Sequence, residues 1–218
     1  MPTKAEKTLY TSIMLALLFG VAWFSWHASQ SYTGTFRPTV TAQPPIDEQV
    51  LSYLGRYTDR LAAFISNPSM AADIVELSRE MTALSSEQLE AINLGWHSDE
   101  ESRRREIALI NNSVSLRLQR YKNDDPFFQH ILITDRNGTS IAQTGQTDRF
   151  HYGNESWWKE AWAKTTGEAG DVRVGKLEYS PLTRSIAVPV TIIIRDQSGE
   201  PQALLRALVG LDELKRVL

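Results

Sequence analysis

Three regimes of hydrophobic spacing follow one another along the chain. From Leu9 to Trp26, LYTSIMLALLFGVAWFSW, the residues are almost wholly apolar, and no formally charged side chain occurs between Lys7 and Arg37. A bilayer core takes roughly 20 apolar residues as a helix, so the pattern predicts a single-pass membrane helix over residues 9–27, with residues 1–8 before it. Residues 28–45, ASQSYTGTFRPTVTAQPP, are rich in Ser, Thr and Pro and read as an extended linker. Everything after them is polar and periodic, as in a water-facing domain.

From residue 46 to 122 the period is helical. Val50, Leu54, Leu61 and Ile65 form one stripe. Asn67-Pro68 ends that helix and starts the next, with Asn as cap and Pro at the first helical position. Ile74, Leu77, Met81 and Leu84 carry a second stripe. Ser85 followed by Gln88 is a capping box opening a short helix that ends near Gly95-Trp96. Ser98-x-x-Glu101 predicts another box, opening a long helix with Ile107, Ile110, Val114, Leu118 and Tyr121 on one face.

After Asp124-Asp125-Pro126 the period becomes two. FFQHILIT and TSIAQT read as strands joined at Asp135-Arg136-Asn137-Gly138, where Asn-Gly suits a type I′ turn with both central residues at positive φ. Asn154 is placed to cap a helix from Glu155 to about Lys164, ended by Gly167 and Gly170. Strands follow over Val172–Tyr179, Ser185–Arg195 and Gln202–Leu211, the last two joined by DQSGE. Ile186, Val188, Val190, Ile192 and Ile194 share one face, as do Ala203, Leu205, Ala207, Val209 and Leu211. Pro189 cannot donate to a ladder, so a bulge or an unpaired stretch is expected there. The tail from Leu211 starts a helix. Short hairpins imply an antiparallel sheet with the early helices on one face. The fold class is therefore α+β: a membrane helix, then helices over 46–122 packed on a five- to six-stranded antiparallel sheet over 127–218.

Charge sets the expected topology. Lys4, Lys7 and the N-terminus precede the apolar run, and no cation follows it until Arg37. The positive-inside bias places residues 1–8 in the cytoplasm and the main domain outside it, at an inner membrane with the domain in the periplasm. A cleaved signal peptide is the rival reading. Its apolar core is shorter, and the bulky Trp26 and His27 occupy the small-residue positions of a cleavage site. No cysteine is present, which excludes disulfides, Cys metal sites and Cys nucleophiles. The net charge of −3 gives no pull toward nucleic acid. Arg103-Arg104-Arg105 is offset by Asp99, Glu100, Glu101 and Glu106 and reads as a solvated helix face. The four His are scattered without metal spacing. No nucleotide loop, GxSxG or dinucleotide fingerprint occurs, so no enzyme, cofactor or metal is expected.

Three segments in order carry a family resemblance. HILITDRNGTSIAQT, TDRFHYGNESWWKEAW and IAVPVTIIIRDQSGEPQALLRALVGLDEL resemble the first hairpin, the ligand-side segment and the closing hairpin of Cache extracytoplasmic sensor domains. The resemblance spans residues 46–218 and implies a PAS-like sheet behind N-terminal helices. The family also implies that Pro189 is tolerated within "VPV". Amino-acid-binding members carry an Arg shortly before the aromatic pair, where this chain has Asn154-Glu155.

Trp157, Trp158 and Trp162 must leave water, because burying one such ring is worth at most about 4–6 kcal/mol. They serve either as core or as pocket wall. Arg149, His151 and Tyr152 precede them in a loop, and Arg173 and Tyr179 lie on later strands. The Cache resemblance implies that Arg149, His151, Tyr152, Trp157, Trp158, Arg173 and Tyr179 converge on one ligand cavity. Two cations with aromatic walls suit a small carboxylate or other anion. The bland alternative pairs Arg149 and Arg173 with Asp148, Asp171 or Glu178 at the surface. The expected function is a membrane-tethered sensor of a small molecule. It signals through a separate signalling or membrane protein, with a homodimer through the long helix. The alternative is a ligand-free interaction subunit of a membrane complex.

Overall fold

A computed structural model describes residues 48–81, 84–164, 171–180 and 183–215. The expected cytoplasmic segment 1–8, membrane helix 9–27 and linker 28–45, and the stop at Gly167 and Gly170, lie outside the described residues. Among the described residues no helix is long and apolar enough to cross a membrane.

Five helices come first: α1 Glu48–Ile65, α2 Pro68–Met81, α3 Ser86–Gly95, α4 Glu100–Asn111 and α5 Ser113–Asp124. The α1 stripe is as expected, with Val50, Leu54, Leu61 and Ile65 all buried. At α2, Asn67 Oδ1 accepts from Ser69 N at 3.1 Å. At α3, Ser85 and Gln88 bond reciprocally: Gln88 N donates to Ser85 Oγ at 3.3 Å and Ser85 N donates to Gln88 Oε1 at 2.8 Å.

Two helical expectations are corrected. Asp99, not Ser98, caps α4, accepting from Ser102 N at 2.6 Å. The Ser98 hydroxyl is already spent, donating to the Gly95 carbonyl at 2.8 Å to close the preceding helix. Nor is there one long helix from 98 to 122. Asn112 is extended (φ −70°, ψ 166°) and caps α5, accepting from Ser115 N at 2.9 Å. Ser115 Oγ donates to the Leu109 carbonyl and Gln119 Nε2 to the Ile110 carbonyl, tying off the end of α4. The break turns Ile107 outward, 61% exposed, while Val114 and Leu118 are fully buried.

The sheet has six strands: β1 Phe128–Asp135, β2 Ser140–Gln143, β3 Val172–Val174, β4 Glu178–Ser180, β5 Ser185–Arg195 and β6 Pro201–Gly210. Their order is β2-β1-β6-β5-β3, with β4 also on β5, and every pairing is antiparallel. The β1–β2 connection is not type I′. Only Gly138 has positive φ (89°), because Asp135 Oδ1 gathers the Asn137 and Thr139 amides at 2.9 and 2.8 Å and sets the bend itself.

The expected strand 172–179 is two strands, interrupted at Gly175–Leu177. That interruption explains Pro189. No bulge occurs on its β6 side, where Val188, Pro189 and Val190 stay in register with Val209, Leu208 and Ala207. The Pro189 carbonyl accepts from Gly175 N at 2.7 Å. A strand residue's N and C=O point to the same edge, so the missing donor faces the gap between β3 and β4.

The sheet is buried on both faces. Ile131, Ile133, Val188, Val190, Ile192, Ala203, Leu205, Ala207 and Val209 pack with α1, α2 and α5 in the main core. Ile186, expected on this face, is 49% exposed at the strand's start. The opposite face carries Leu132, Leu204 and Ile193, covered by α6 Ser156–Ala163 through Trp158 and Ala161. Here Glu155, not Asn154, is the capping residue, and it makes no side-chain cap bond because its carboxylate is turned to Arg149. A short α7, Leu211–Lys215, buries Leu214.

Candidate functional site

Strand alternation puts His130, Leu132 and Thr134 of β1 on the α6 face, beside Leu204, Arg206 and Leu208 of β6. Where α6 covers this face, Trp158 fills the space. Its Nε1 donates to Thr134 Oγ1 at 3.1 Å, and its ring stacks on Trp162 at 5.3 Å. Toward the N-terminus of α6 the cover is incomplete. A cavity of about 350 Å³ remains, floored by His130, Leu132, Arg206 and Leu208. Asp148, Arg149, Tyr152, Glu155 and Trp157 wall one side, and Glu178, Tyr179 and Ser180 of β4 the other. This is within the size range of small-ligand sites.

The residues anticipated from the sequence separate into four places. Arg149, Tyr152, Trp157 and Tyr179 border this cavity, Tyr179 at its rim with 63% exposure. Trp158 belongs to the core beneath α6. His151 is not at the cavity, and its ring bonds the Asn137 carbonyl at 2.8 Å. Arg173 lines a second hollow, of about 690 Å³, that shares Trp157, Glu178 and Arg206 with the first. There Arg173 Nη2 donates to the Lys164 carbonyl at 3.3 Å.

Charges in the cavity are largely paired. Arg149 bonds Asp148 at 3.1 Å and also contacts Glu155. Burial lowers its pKa, and the two carboxylates more than reverse this, for a net rise. Arg206, 14% exposed, pairs with Glu178 and lies over the Trp157 ring at 4.3 Å. Burial lowers its pKa, partly offset by Glu178. Tyr152 donates its hydroxyl to Asp148 Oδ1 at 3.0 Å. Its pKa is pushed up by burial first and by Asp148 second. His130 is driven down to about 4, mainly by burial, while a bond to the Gly145 backbone pulls the other way.

Sequence reasoning missed His130, Asp148, Glu155, Glu178 and Arg206 as cavity groups. For His130 and Arg206 a signal existed. Each interrupts the second, even-numbered apolar face of its strand, a face overlooked once the odd-numbered one was taken as the core. For Asp148, Glu155 and Glu178 no local pattern distinguishes them from surface carboxylates. Among the described residues no group of three or more His, Asp or Glu could hold a metal ion.

No family model and no curated protein matches the chain. Solved structures do. The chain is similar to the E. coli DcuS sensor domain, at 13% identity and TM-score 0.37, covering 60% of this chain and 92% of that one. It is similar to the sensory domain of the Campylobacter jejuni chemoreceptor Tlp3, at 14% identity and TM-score 0.43, covering 78% and 59%. The isoleucine-bound form of that domain matches at 14% identity and TM-score 0.39, covering 79% and 67%. All are sensor domains. The chain spans only about three fifths of the first of these Tlp3 domains. At these TM-scores the functional reading rests on the residues of the site itself.

Proposed function

We propose that this protein is a membrane-tethered extracytoplasmic sensor that binds a small molecule between β1, β6, β4 and the start of α6. Residues 9–27 would form the membrane helix, 28–45 the tether and 46–218 the sensor domain. The observation that supports this reading best is the cavity itself. A fold that closes Trp158 and Trp162 tightly on one end of a sheet face leaves the other end open, beside buried charges and an aromatic wall. Binding there would favour one packing of α6 and β4 on the sheet over another, and the shift would pass to a partner protein.

Ligand-dependent thermal stability of the full chain in detergent tests the proposal. Binding raises stability by RT ln(1 + [L]/Kd), about 2.7 kcal/mol at a hundredfold excess. A panel of organic acids, amino acids and amines should contain a stabiliser whose effect disappears in Trp157→Ala. One observation favours the second reading, a ligand-free interaction subunit: Arg149 and Arg206 already have carboxylate partners within the protein. If no compound stabilises the chain, that reading replaces the first.

A further inference from the structure

On the α6 side of the sheet a row of residues lines up across the strands. Arg173 of β3 is opposite Thr191 of β5, Thr191 is opposite Arg206 of β6, and Arg206 is opposite Leu132 of β1. Residues directly opposite in an antiparallel sheet project from the same face, so the row sets a hydroxyl between two guanidiniums. The two arginines differ in their partners. Arg206 is held by Glu178. For Arg173 both carboxylates that could answer it are taken: Asp171, two residues along the same strand, pairs with Arg195 at 3.0 Å, and Glu178 pairs with Arg206. Among the described residues its one bond runs from Nη2 to the Lys164 carbonyl at 3.3 Å. The surface ion pair that would make Arg173 an ordinary solvated cation does not form.

This row lines the hollow of about 690 Å³ at the end of α6. Arg173 Nε is enclosed, whereas Nη1 makes no bond and is not enclosed. The Thr191 hydroxyl is likewise unbonded and not enclosed. Lys164, at the end of α6, and Lys176, between β3 and β4, are exposed at the rim, without an ion-pair partner among the described residues. Glu160 is the one carboxylate of this lining not already paired. Three free cations against one free carboxylate leave two positive charges in excess beside the Trp157 ring. In the first cavity, by contrast, both guanidiniums are committed to carboxylates. Exposed lysines alone would count for little. What distinguishes this place is an open guanidinium nitrogen and an open hydroxyl on paired strands, with backbones about 5 Å apart. That spacing lets one oxygen-bearing group accept from both.

We propose that this hollow is a second binding site, separate from the cavity at the start of α6, and that it takes a small doubly charged oxygen anion such as a dicarboxylate or a tetrahedral anion. Arg173 Nη1 and the Thr191 hydroxyl donate to its oxygens, and Lys164 and Lys176 balance the remaining charge. The site stands whether or not the first cavity takes a ligand. It also divides the anion chemistry that Arg149 and Arg173 together suggested from sequence. Arg149 is spent on Asp148 and Glu155, and Arg173 is the receptor.

The test titrates succinate and sulfate into the full chain in a non-ionic detergent, with acetate and chloride as controls at matched ionic strength. Binding is read by calorimetry and by backbone amide shifts. The expected result is saturable binding of succinate, sulfate or both, in preference to acetate and chloride, with shifts centred on Arg173 and Thr191. Affinity should fall about tenfold or more in Arg173→Gln, and by a smaller factor in Thr191→Val and in Lys176→Gln. Arg104→Gln, which removes an exposed cation on α4, should leave it unchanged. The absence of saturable binding by either dianion overturns the proposal. So does a loss in Arg104→Gln equal to that in Lys176→Gln, which would mean general charge attraction only. Shifts centred on Arg149 overturn it too, and return anion binding to the first cavity. Should Arg173→Gln fail to fold, undiminished binding in both Thr191→Val and Lys176→Gln overturns it equally. Because Trp157 lines both hollows, a stabilising organic acid is assigned to the first cavity only when its effect survives in Arg173→Gln, so the two sites fail separately.

Discussion

Acidification should destabilise this domain through His130, by an amount that follows from its burial. The folded ring resists protonation down to about pH 4, whereas an unfolded histidine protonates near 6.5. A depressed folded value means that the unfolded chain takes up the proton first, so stability is complete above about pH 7 and falls between pH 6.5 and 4. A difference of about 2.5 units at 1.36 kcal/mol each gives a loss of about 3 kcal/mol. That is a large share of the 5–15 kcal/mol typical of a domain. Lys122 and Arg206 push in the same direction as burial, and Asp148 opposes them. Asp135 contributes the opposite slope, since burial raises its pKa and its folded form protonates more readily. Wild-type data alone therefore mix two signs, and the variant His130→Leu isolates one. Urea denaturation of both proteins at intervals from pH 7.5 to 4 gives two stability curves. Their difference should be flat above pH 7 and should move by about 3 kcal/mol in the variant's favour by pH 4. A difference curve that stays flat throughout would refute the argument, because it would mean that the ring is hydrated or protonated in the folded state.

Other substitutions separate core from cavity wall. Trp158→Ala should cost about 3–5 kcal/mol in chemical denaturation, since it removes a buried ring and leaves Thr134 without that partner; a cost below 1 kcal/mol would place the ring outside the core. Trp157→Ala should unfold within about 1–2 kcal/mol of wild type, because that ring is only partly buried and bridges Arg206 rather than the sheet interior. Asn112→Ala should cost about 1–2 kcal/mol through the lost cap of α5, with hydrogen exchange speeding first at the Ser115 amide; uniform exchange would argue for a continuous helix instead. Pro189→Val should fold with stability within about 1 kcal/mol of wild type, since the position faces a gap between two strands and not a ladder partner; severe destabilisation would show that the ring's fixed φ is needed there.

Periodicity alone determined most of the element list. The α1 stripe, the Ser85–Gln88 box, the two long hairpin strands and the shift from period 3.6 to period 2 at Pro126 are local facts. Each turn or strand buries its own apolar residues wherever it docks. The aromatic run likewise declared that something near Trp157 must be covered. What local pattern could not decide was competition between groups distant in sequence. Asn112 breaks a plausible long helix partly because its amide donates to the Ile141 carbonyl, on a strand 29 residues away. Ser98 loses the cap to Asp99 because its hydroxyl is claimed elsewhere.

The same holds for the site. Arg149 and Arg173 look equivalent in sequence, yet one reaches Glu155 beside the cavity and the other the end of α6. His130 reads as an ordinary strand residue until β6 lies beside β1 and a cavity is left over it beside the start of α6. Burial, and with it the charge state and hydrogen-bonding role of each group, depends on which faces meet. That is a property of the packed sheet and not of any segment within it.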